Sequence, residues 1–523
     1  MQQLNNKMLI IGSHRNIAKA WSHSYAFSIF VRRKSSSINL NENATQVEYN
    51  NAHPFSSIPG PGGLPWFGQW LKYKLNPKKV HRRDLVLKEF YEKYGDIVKE
   101  TVAGRTIVHL FNPDYIKQIY ETEGKYPLVP PLLESVEFYR RKKELAPGLG
   151  NSNGEQWYRL RSIVQHIMLR PLKSLDYLPA QNKVANDFIN KLPSLIENNG
   201  EVSNFNRWIA RWGLESAANN CLDKRMGYMD ESGMAAGDKI IDTNHSVFEL
   251  SIKLYFAIPF YKLFFTPSLK ELFECEDFIN DEALRLTNIA IEEYKEAFEN
   301  GTLTEDRFRF LSYMLSNPEM TKKDLMPVVL SVLTDTLSTT SQILLCNLYN
   351  LACNPNVQEK VYEETKKILQ NGDLTSDGFS SATYIKACIK ESFRLFPVGL
   401  DILRLCPSNM VIGGYQVPER TYLCLNNYIQ SLDPDVIPEP QKFIPDRWLR
   451  EEYSEKLHPY LLTPFSLGRR MCAGRRFAEQ ELVIMIAKIL SRYRLEWHYG
   501  EVHQRYRLLL IPDQEIKIKF VPR

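Results

Sequence analysis

Apolar residues recur every three or four positions through most of the chain, and every second position only in short pieces. "GEQWYRLRSIVQHIMLRP" (154–171) and "LTEDRFRFLSYMLS" (303–316) both have the helical period. A long apolar stretch runs from Asp324 to "ACNP", where Pro355 ends it. "NVQEKVYEETKKILQN" sets acids and lysines at helical spacing and predicts a surface helix. "FAEQELVIMIAKILSRY" predicts an amphipathic helix. After a helix in "KKVHRRDLVLKEFYEKYGD", two short strands flank the turn "AGR". "MVIGGYQVPERTYLCLNNY" (410–428) also breaks into short strands around turns. The expected fold is mainly α with a small β-sheet region. There is no internal repeat and no low-complexity tract.

"SSIPGPGGLPWFG" (56–68) reads as a stiff irregular linker. It divides the chain into a leader over 1–45, a Pro/Gly-rich linker over 46–68 and a single domain over 69–523. Residues 1–41 hold Lys7, Arg15, Lys19, Arg32, Arg33 and Lys34, many serines and no acid. A basic, acid-free start of this kind is the signature of a mitochondrial transit peptide; the bland alternative is a disordered basic tail. No run approaches the ~18 apolar residues of a spanning helix, which leaves peripheral membrane contact. Net charge is +5 over 523 residues, too little for a whole-chain nucleic-acid argument. The 8 cysteines form no CxxC and no zinc spacing with histidine, so free thiols in a reducing compartment are expected.

One cysteine stands apart. "FSLGRRMCAGRRFAE" (465–479) places Cys472 between glycines and arginines, just before a predicted helix. A thiolate metal ligand needs its charge stabilised and its backbone close to the cofactor. Gly468 and Gly474 remove Cβ atoms where a flat group would press. The positive end of the following helix favours thiolate over thiol. Phe465 covers the sulfur, and Arg470 suits a carboxylate on the cofactor.

Phe465, Gly468, Arg470, Cys472 and Gly474 match F-x-x-G-x-R-x-C-x-G at every defined position. The chain resembles the cytochrome P450 superfamily, over roughly residues 58–523. The resemblance implies the family's fold, with haem b buried between the long central helix and the cysteine-loop helix and Cys472 as axial ligand to iron. "KESFRLFPV" resembles the family's E-x-x-R, Glu391 and Arg394. "PEPQKFIPDRW" resembles the stretch that supplies a third partner, Arg447, in a buried network holding the cysteine loop. Taken alone, an E-x-x-R is more often a surface ion pair. Trp157 and Arg161 share a helix face and resemble the family's propionate contacts, as does Arg404.

The middle of the long helix reads "TDTLSTTSQ" (334–342), a polar belt in an apolar element. Its hydroxyls either back-bond to the helix or open it locally for dioxygen and water. Against the family pattern (A/G)-G-x-(D/E)-T-(T/S), Thr339 aligns with the oxygen-activating threonine. Ser338 then stands at the acid position, and Asp335 and Thr336 replace the small pair. Asp335 and Thr339 are i, i+4, so the carboxylate is displaced one turn. These three residues, Thr339, Ser338 and Asp335, are the candidate catalytic set.

Lys386 and Lys390, with Arg475 and Arg476, resemble the basic face on which mitochondrial members dock an adrenodoxin-like ferredoxin, itself served by an NADPH reductase. The bland alternative is a solvated charged face. The implied reaction is monooxygenation of a steroid or sterol at the matrix side of the inner mitochondrial membrane. The overall likeness is to the insect ecdysteroid hydroxylases, with 2-hydroxylation in ecdysone biosynthesis the specific expectation and 20- or 22-hydroxylation next. The altered acid–alcohol pair keeps a haem-thiolate isomerase or dehydratase open, and a haem sensor is the non-catalytic alternative. Asp401 and the stretch Leu508–Ile511 are expected to line the substrate pocket, Asp401 as an anchor for a substrate hydroxyl.

Overall fold

The computed structural model describes residues 42–304, 307–449 and 457–523. Contacts divide the chain into a unit ending at Asn50 and a unit from Asn51 to Arg523. The described residues begin with a helix, Glu42–Asn51. Residues 1–41 of the expected leader lie outside the described residues.

The second unit is built from helices around a small sheet. In chain order the elements used below are α1 (Arg83–Tyr94), β1 (Ile97–Val102), β2 (Arg105–Leu110), α2 (Glu134–Lys142), α3 (Gly154–Met168), α4 (Leu178–Leu195), α5 (Phe205–Leu222), α6 (Glu231–Tyr255) and α7 (Pro267–Glu299). Then come α8 (Lys322–Ser338), α9 (Thr340–Cys353), α10 (Pro355–Ile368), α11 (Thr383–Leu395), β3 (Ile402–Leu405), β4 (Met410–Ile412), β5 (Tyr415–Val417), β6 (Tyr422–Leu425), α12 (Arg475–Arg492), β7 (Gln504–Tyr506) and β8 (Leu510–Pro512). The main sheet has the order β1-β2-β6-β3. β1 and β2 pair antiparallel through Ala103 and Gly104, both at positive φ, the twist that a two-residue hairpin requires. β6 returns parallel to β2 and antiparallel to β3, which carries Arg404 into the interior.

The stretch read as a linker is docked on the fold. Lys99 donates its amide to the Pro59 carbonyl at 2.8 Å, and Gln69 to that of Thr101 at 2.7 Å. In "LTEDRFRFLSYMLS" the described helix is only Arg309–Ser316. α12 is not amphipathic but buried on all sides from Gln480 to Leu490, because α4, α9, α10 and α11 all pack on it.

The central helix is two helices. A Thr321–Asp324 capping box starts α8, and Thr339 leaves helical geometry (φ −124°, ψ −70°) before α9 resumes. The back-bonding expected of the polar belt is present. Thr334, Thr336 and Thr339 donate to the carbonyls of Leu330, Val332 and Asp335 at 2.9, 2.9 and 2.6 Å, and the helix opens at Thr339. Residues 322–353 are together long and apolar enough to cross a bilayer, contrary to the expectation that no run approaches that length. Here the pair runs through the core.

Candidate functional site

The loop before α12 closes on itself. The Cys472 amide donates to the Phe465 carbonyl at 2.9 Å, and Met471 to Gly468 at 3.2 Å. Gly468 sits at φ +70°, the left-handed region that favours glycine, while a Cβ there would make only an ordinary contact with Glu123 Oε2 at 3.4 Å. Gly474 differs. Its φ is −81°, and a Cβ would meet only the Cys472 sulfur, at 3.9 Å. Phe465 packs edge-on against Phe393 of α11, ring centres 5.2 Å apart.

Cys472 and Asp335 are exposed, yet burial pushes both groups up. The observations agree if both side chains line an internal cavity. For Cys472 the balance is contrary to the expectation of a depressed thiol. Burial raises it, and the amides of Gly474 and Arg475 and the Arg161 guanidinium only partly offset this. A metal cation at the sulfur would supply the missing stabilisation. A surface cavity of about 720 Å³ lies elsewhere, among Glu359, Glu363 and Glu364 of α10, and holds none of the predicted site residues.

Three arginines converge beside the cysteine loop. Arg470 lies 4.0 Å from the centre of the buried Trp157 ring and donates to the carbonyls of Pro127 (3.0 Å) and Ser152 (2.8 Å) and to Asn153 Oδ1 (2.8 Å). Burial, then Arg404 and Arg161, pull its guanidinium down to about 9. Arg404 pairs with Glu123 and donates to Ser466 Oγ at 2.9 Å. Arg161 is buried, and its Nε has no partner among the described residues. Three positive charges thus face one carboxylate, a surplus of two in a desolvated corner.

On the other wall, Ser338 is buried. It accepts from Asn244 of α6 at 2.8 Å and donates to the Thr334 carbonyl at 3.3 Å. Thr336 packs toward Gly213 of α5, 3.6 Å from where a Cβ would be. Asp335 faces the cavity. Burial raises its carboxyl to about 6, against the pull of Arg140.

Glu391, Arg394 and Arg447 come together at essentially zero exposure. Glu391 accepts from Arg394 Nη2 (2.7 Å) and Nε (3.0 Å), Arg447 Nε (3.0 Å), Trp448 Nε1 (2.8 Å) and the Ile444 amide (3.1 Å). The basic face is less free than its sequence suggests. Lys386 donates to the Phe379 carbonyl, Lys390 lies 4.1 Å from the Trp448 ring centre, and Arg475 and Arg476 both reach Glu479, at 2.8 and 3.6 Å. Asp401 is not an open anchor: its oxygens are taken by Tyr506 Oη and by Cys424 Sγ, the latter at 3.1 Å.

The cytochrome P450 family model matches residues 58–520. The chain belongs to the cytochrome P450 family. It is 37% identical to the probable cytochrome P450 CYP44 of Caenorhabditis elegans, over 92% of this chain and 98% of that one. It is 28% identical to the cholesterol side-chain cleavage enzyme, mitochondrial, of Bos taurus, over 91% of each. The identity is also 28% to the 1,25-dihydroxyvitamin D(3) 24-hydroxylase, mitochondrial, of Mus musculus, over 90% of this chain and 89% of that one. The fold is the P450 fold, the activity is that of a P450 monooxygenase, and the cofactor is haem with a cysteine thiolate ligand.

The residues present fit that group. Haem b carries two propionates, which match the surplus of two positive charges and the unpartnered Arg161 Nε. Sequence reasoning missed Glu123 and Asn244. Glu123 meets Arg404 from 281 residues away, and Asn244 meets Ser338 from 94. No local spacing marks either one.

Proposed function

We propose that Cys472 is the axial thiolate and that the enzyme hydroxylates a steroid or sterol in the mitochondrion, using electrons from an adrenodoxin-like ferredoxin. The observation that carries this is the cavity-facing Cys472, with two amides aimed at its sulfur and three arginines beside it. When bound, the haem supplies dioxygen activation and C–H oxidation. The chain's residues do the rest. Arg161, Arg404, Arg470 and Trp157 hold the propionate edge. Phe465 and Phe393 keep water from the sulfur side. Glu391, Arg394 and Arg447 fix the segment against which the loop rests. Thr339, at the helix break, holds a proton donor over the cavity, with Asp335 one turn away in place of the acid that Ser338 is not.

Lys386, Lys390, Arg475 and Arg476 form the ferredoxin face. Lys386 interacts electrostatically with Arg476, and Lys390 with Arg475, so the four share one side. Peripheral membrane contact falls to Phe260, Leu263, Phe264 and Phe265, exposed between α6 and α7, with Leu263 80% exposed. The mitochondrial relatives support the compartment and the substrate class; ecdysteroid 2-hydroxylation is the specific activity to test first. The test is reconstitution with ferredoxin, its reductase and NADPH, offering a panel of sterols, secosteroids and ecdysteroid precursors and identifying products by mass spectrometry. An oxygenated product that requires ferredoxin supports the reading. Turnover without electrons, or no product from any steroid, overturns it.

A further inference from the structure

Among the described residues, Asp335 is an interior-facing carboxylate that the fold leaves without a partner. The other interior carboxylates are met. Glu100 receives Arg83, Tyr73 and His109; Glu215 receives Arg225 and three amides; Glu391 receives five donors; Glu481 receives Ser216 and Asn220. Among the described residues no hydrogen bond or ion pair reaches the Asp335 carboxylate. Arg140 of α2 is the cation facing it, but its Nη1 is held by the Pro147 carbonyl at 2.8 Å. Asp335 is nonetheless accessible on a helix whose neighbouring positions, Leu333, Leu337 and Ser338, are buried. Its backbone is pinned, because both the amide and the hydroxyl of Thr339 donate to its carbonyl.

An unpaired carboxylate in a desolvated setting is costly while it stays charged, and a cation seating on it removes that cost. Burial raises this carboxyl only to about 6, so it remains mostly ionised at neutral pH. We propose that the pocket takes lipophilic cations: substrates or inhibitors with an apolar body and an amine or ammonium group that seats on Asp335. This rests on membership of the family and not on the steroid reading, and it adds a second ligand class to the same cavity.

The test uses the full-length haem-loaded enzyme and two probes of one shape. These are 4-phenylbutyl(trimethyl)ammonium, whose quaternary nitrogen has no lone pair for iron, and its neutral carbon isostere (5,5-dimethylhexyl)benzene. Dissociation constants are measured by equilibrium dialysis and by the Soret shift. Asp335→Asn is expected to weaken the cation about tenfold or more and to leave the isostere within about twofold, while Asp335→Glu retains cation binding. In the wild type, lowering the pH through about 6 protonates Asp335 and removes the preference for the cation. Arg140 and Cys472 are the other ionisable groups facing it. Equal cation affinity in wild type and Asp335→Asn, or equal loss of both probes, overturns the proposal. If Asp335→Asn does not retain haem, the wild-type pH series decides alone: a cation preference unchanged at pH about 5 refutes it.

Discussion

Replacing Glu391 by Gln removes one charge and almost no volume. The carboxylate lies at 0% exposure between Arg394 and Arg447 and accepts five hydrogen bonds, three of them from guanidinium groups. Gln accepts at one end only, and its amide nitrogen faces donors. Two buried guanidinium groups are then left with carbonyl partners: Ser431, Pro440 and Lys442 for Arg394, and Pro438 and Glu439 for Arg447. Breaking a buried pair in this way costs about 3–5 kcal/mol, against a total stability of about 5–15. The internal control is Glu479→Gln, which loses only the partly exposed pairs to Arg475 and Arg476 and is expected to cost about 1 kcal/mol or less. The assay is urea unfolding of the haem-loaded protein, read as a shift in midpoint at constant slope, together with the CO difference spectrum of the reduced protein. Phe393, two residues beyond Glu391 on α11, packs on Phe465, so haem retention should fall along with stability. If Glu391→Gln costs no more than Glu479→Gln, the network does not support the loop.

Three further outcomes are expected. Cys472→Ala abolishes the thiolate CO spectrum while the far-UV circular dichroism stays that of a helical protein; a retained spectrum refutes the ligand assignment. Arg470→Leu removes a guanidinium stacked on Trp157 and beside Arg404 and Arg161, and should speed haem loss to apomyoglobin about tenfold or more, with an unchanged rate counting against a propionate role. Glu481, buried between α5 and α12, is raised by burial from 4.5 to about 7. Its folded form therefore holds a proton that the unfolded form releases above pH about 4.5, so stability is full below that pH and falls as pH rises through about 7, by about 3 kcal/mol in all. Glu481→Gln should flatten that slope and be the more stable form at pH about 8; a slope equal to wild type across pH 5–8 sinks the argument.

What the sequence made legible is what its chemistry packs into a short span. Phe465, Gly468, Arg470, Cys472 and Gly474 fall within ten residues, and together they name a cofactor because a thiolate beside a flat group imposes all five at once. The strands around "AGR" were legible for a similar reason, since two consecutive residues at positive φ admit few alternatives. The partners were not legible. Whether Arg404 is a free propionate ligand or already paired depends on Glu123, and whether Asp401 is free depends on Cys424 and Tyr506. The docking lysines show the same limit: helical spacing puts Lys386 on a face, but only the fold shows its ammonium held by the Phe379 carbonyl.

The central helix joins the two kinds of information. Ser338 and Asp335 are three residues apart, so an acid moved from one to the other turns some 60° about the helix axis as well as shifting along it. At 338 the side chain enters the seam with α6, where Asn244 meets it; at 335 it enters the cavity, where nothing does. A serine in the seam is satisfied by one amide, whereas a carboxylate there would need a charged partner that the described residues of α6 do not bring to Ser338. If the serine at 338 and the acid at 335 are coupled in this way, replacing one should change what the other position tolerates. A protein carrying both Asp335→Ala and Ser338→Asp puts the acid back at its family position, with Thr336 still in place of the glycine, and tests this directly. If the seam rejects the carboxylate, the double variant should lose stability by about 1–3 kcal/mol relative to Asp335→Ala alone, and replacing Asn244 by Lys should recover part of it. A double variant as stable as the single one would mean that the two positions vary independently.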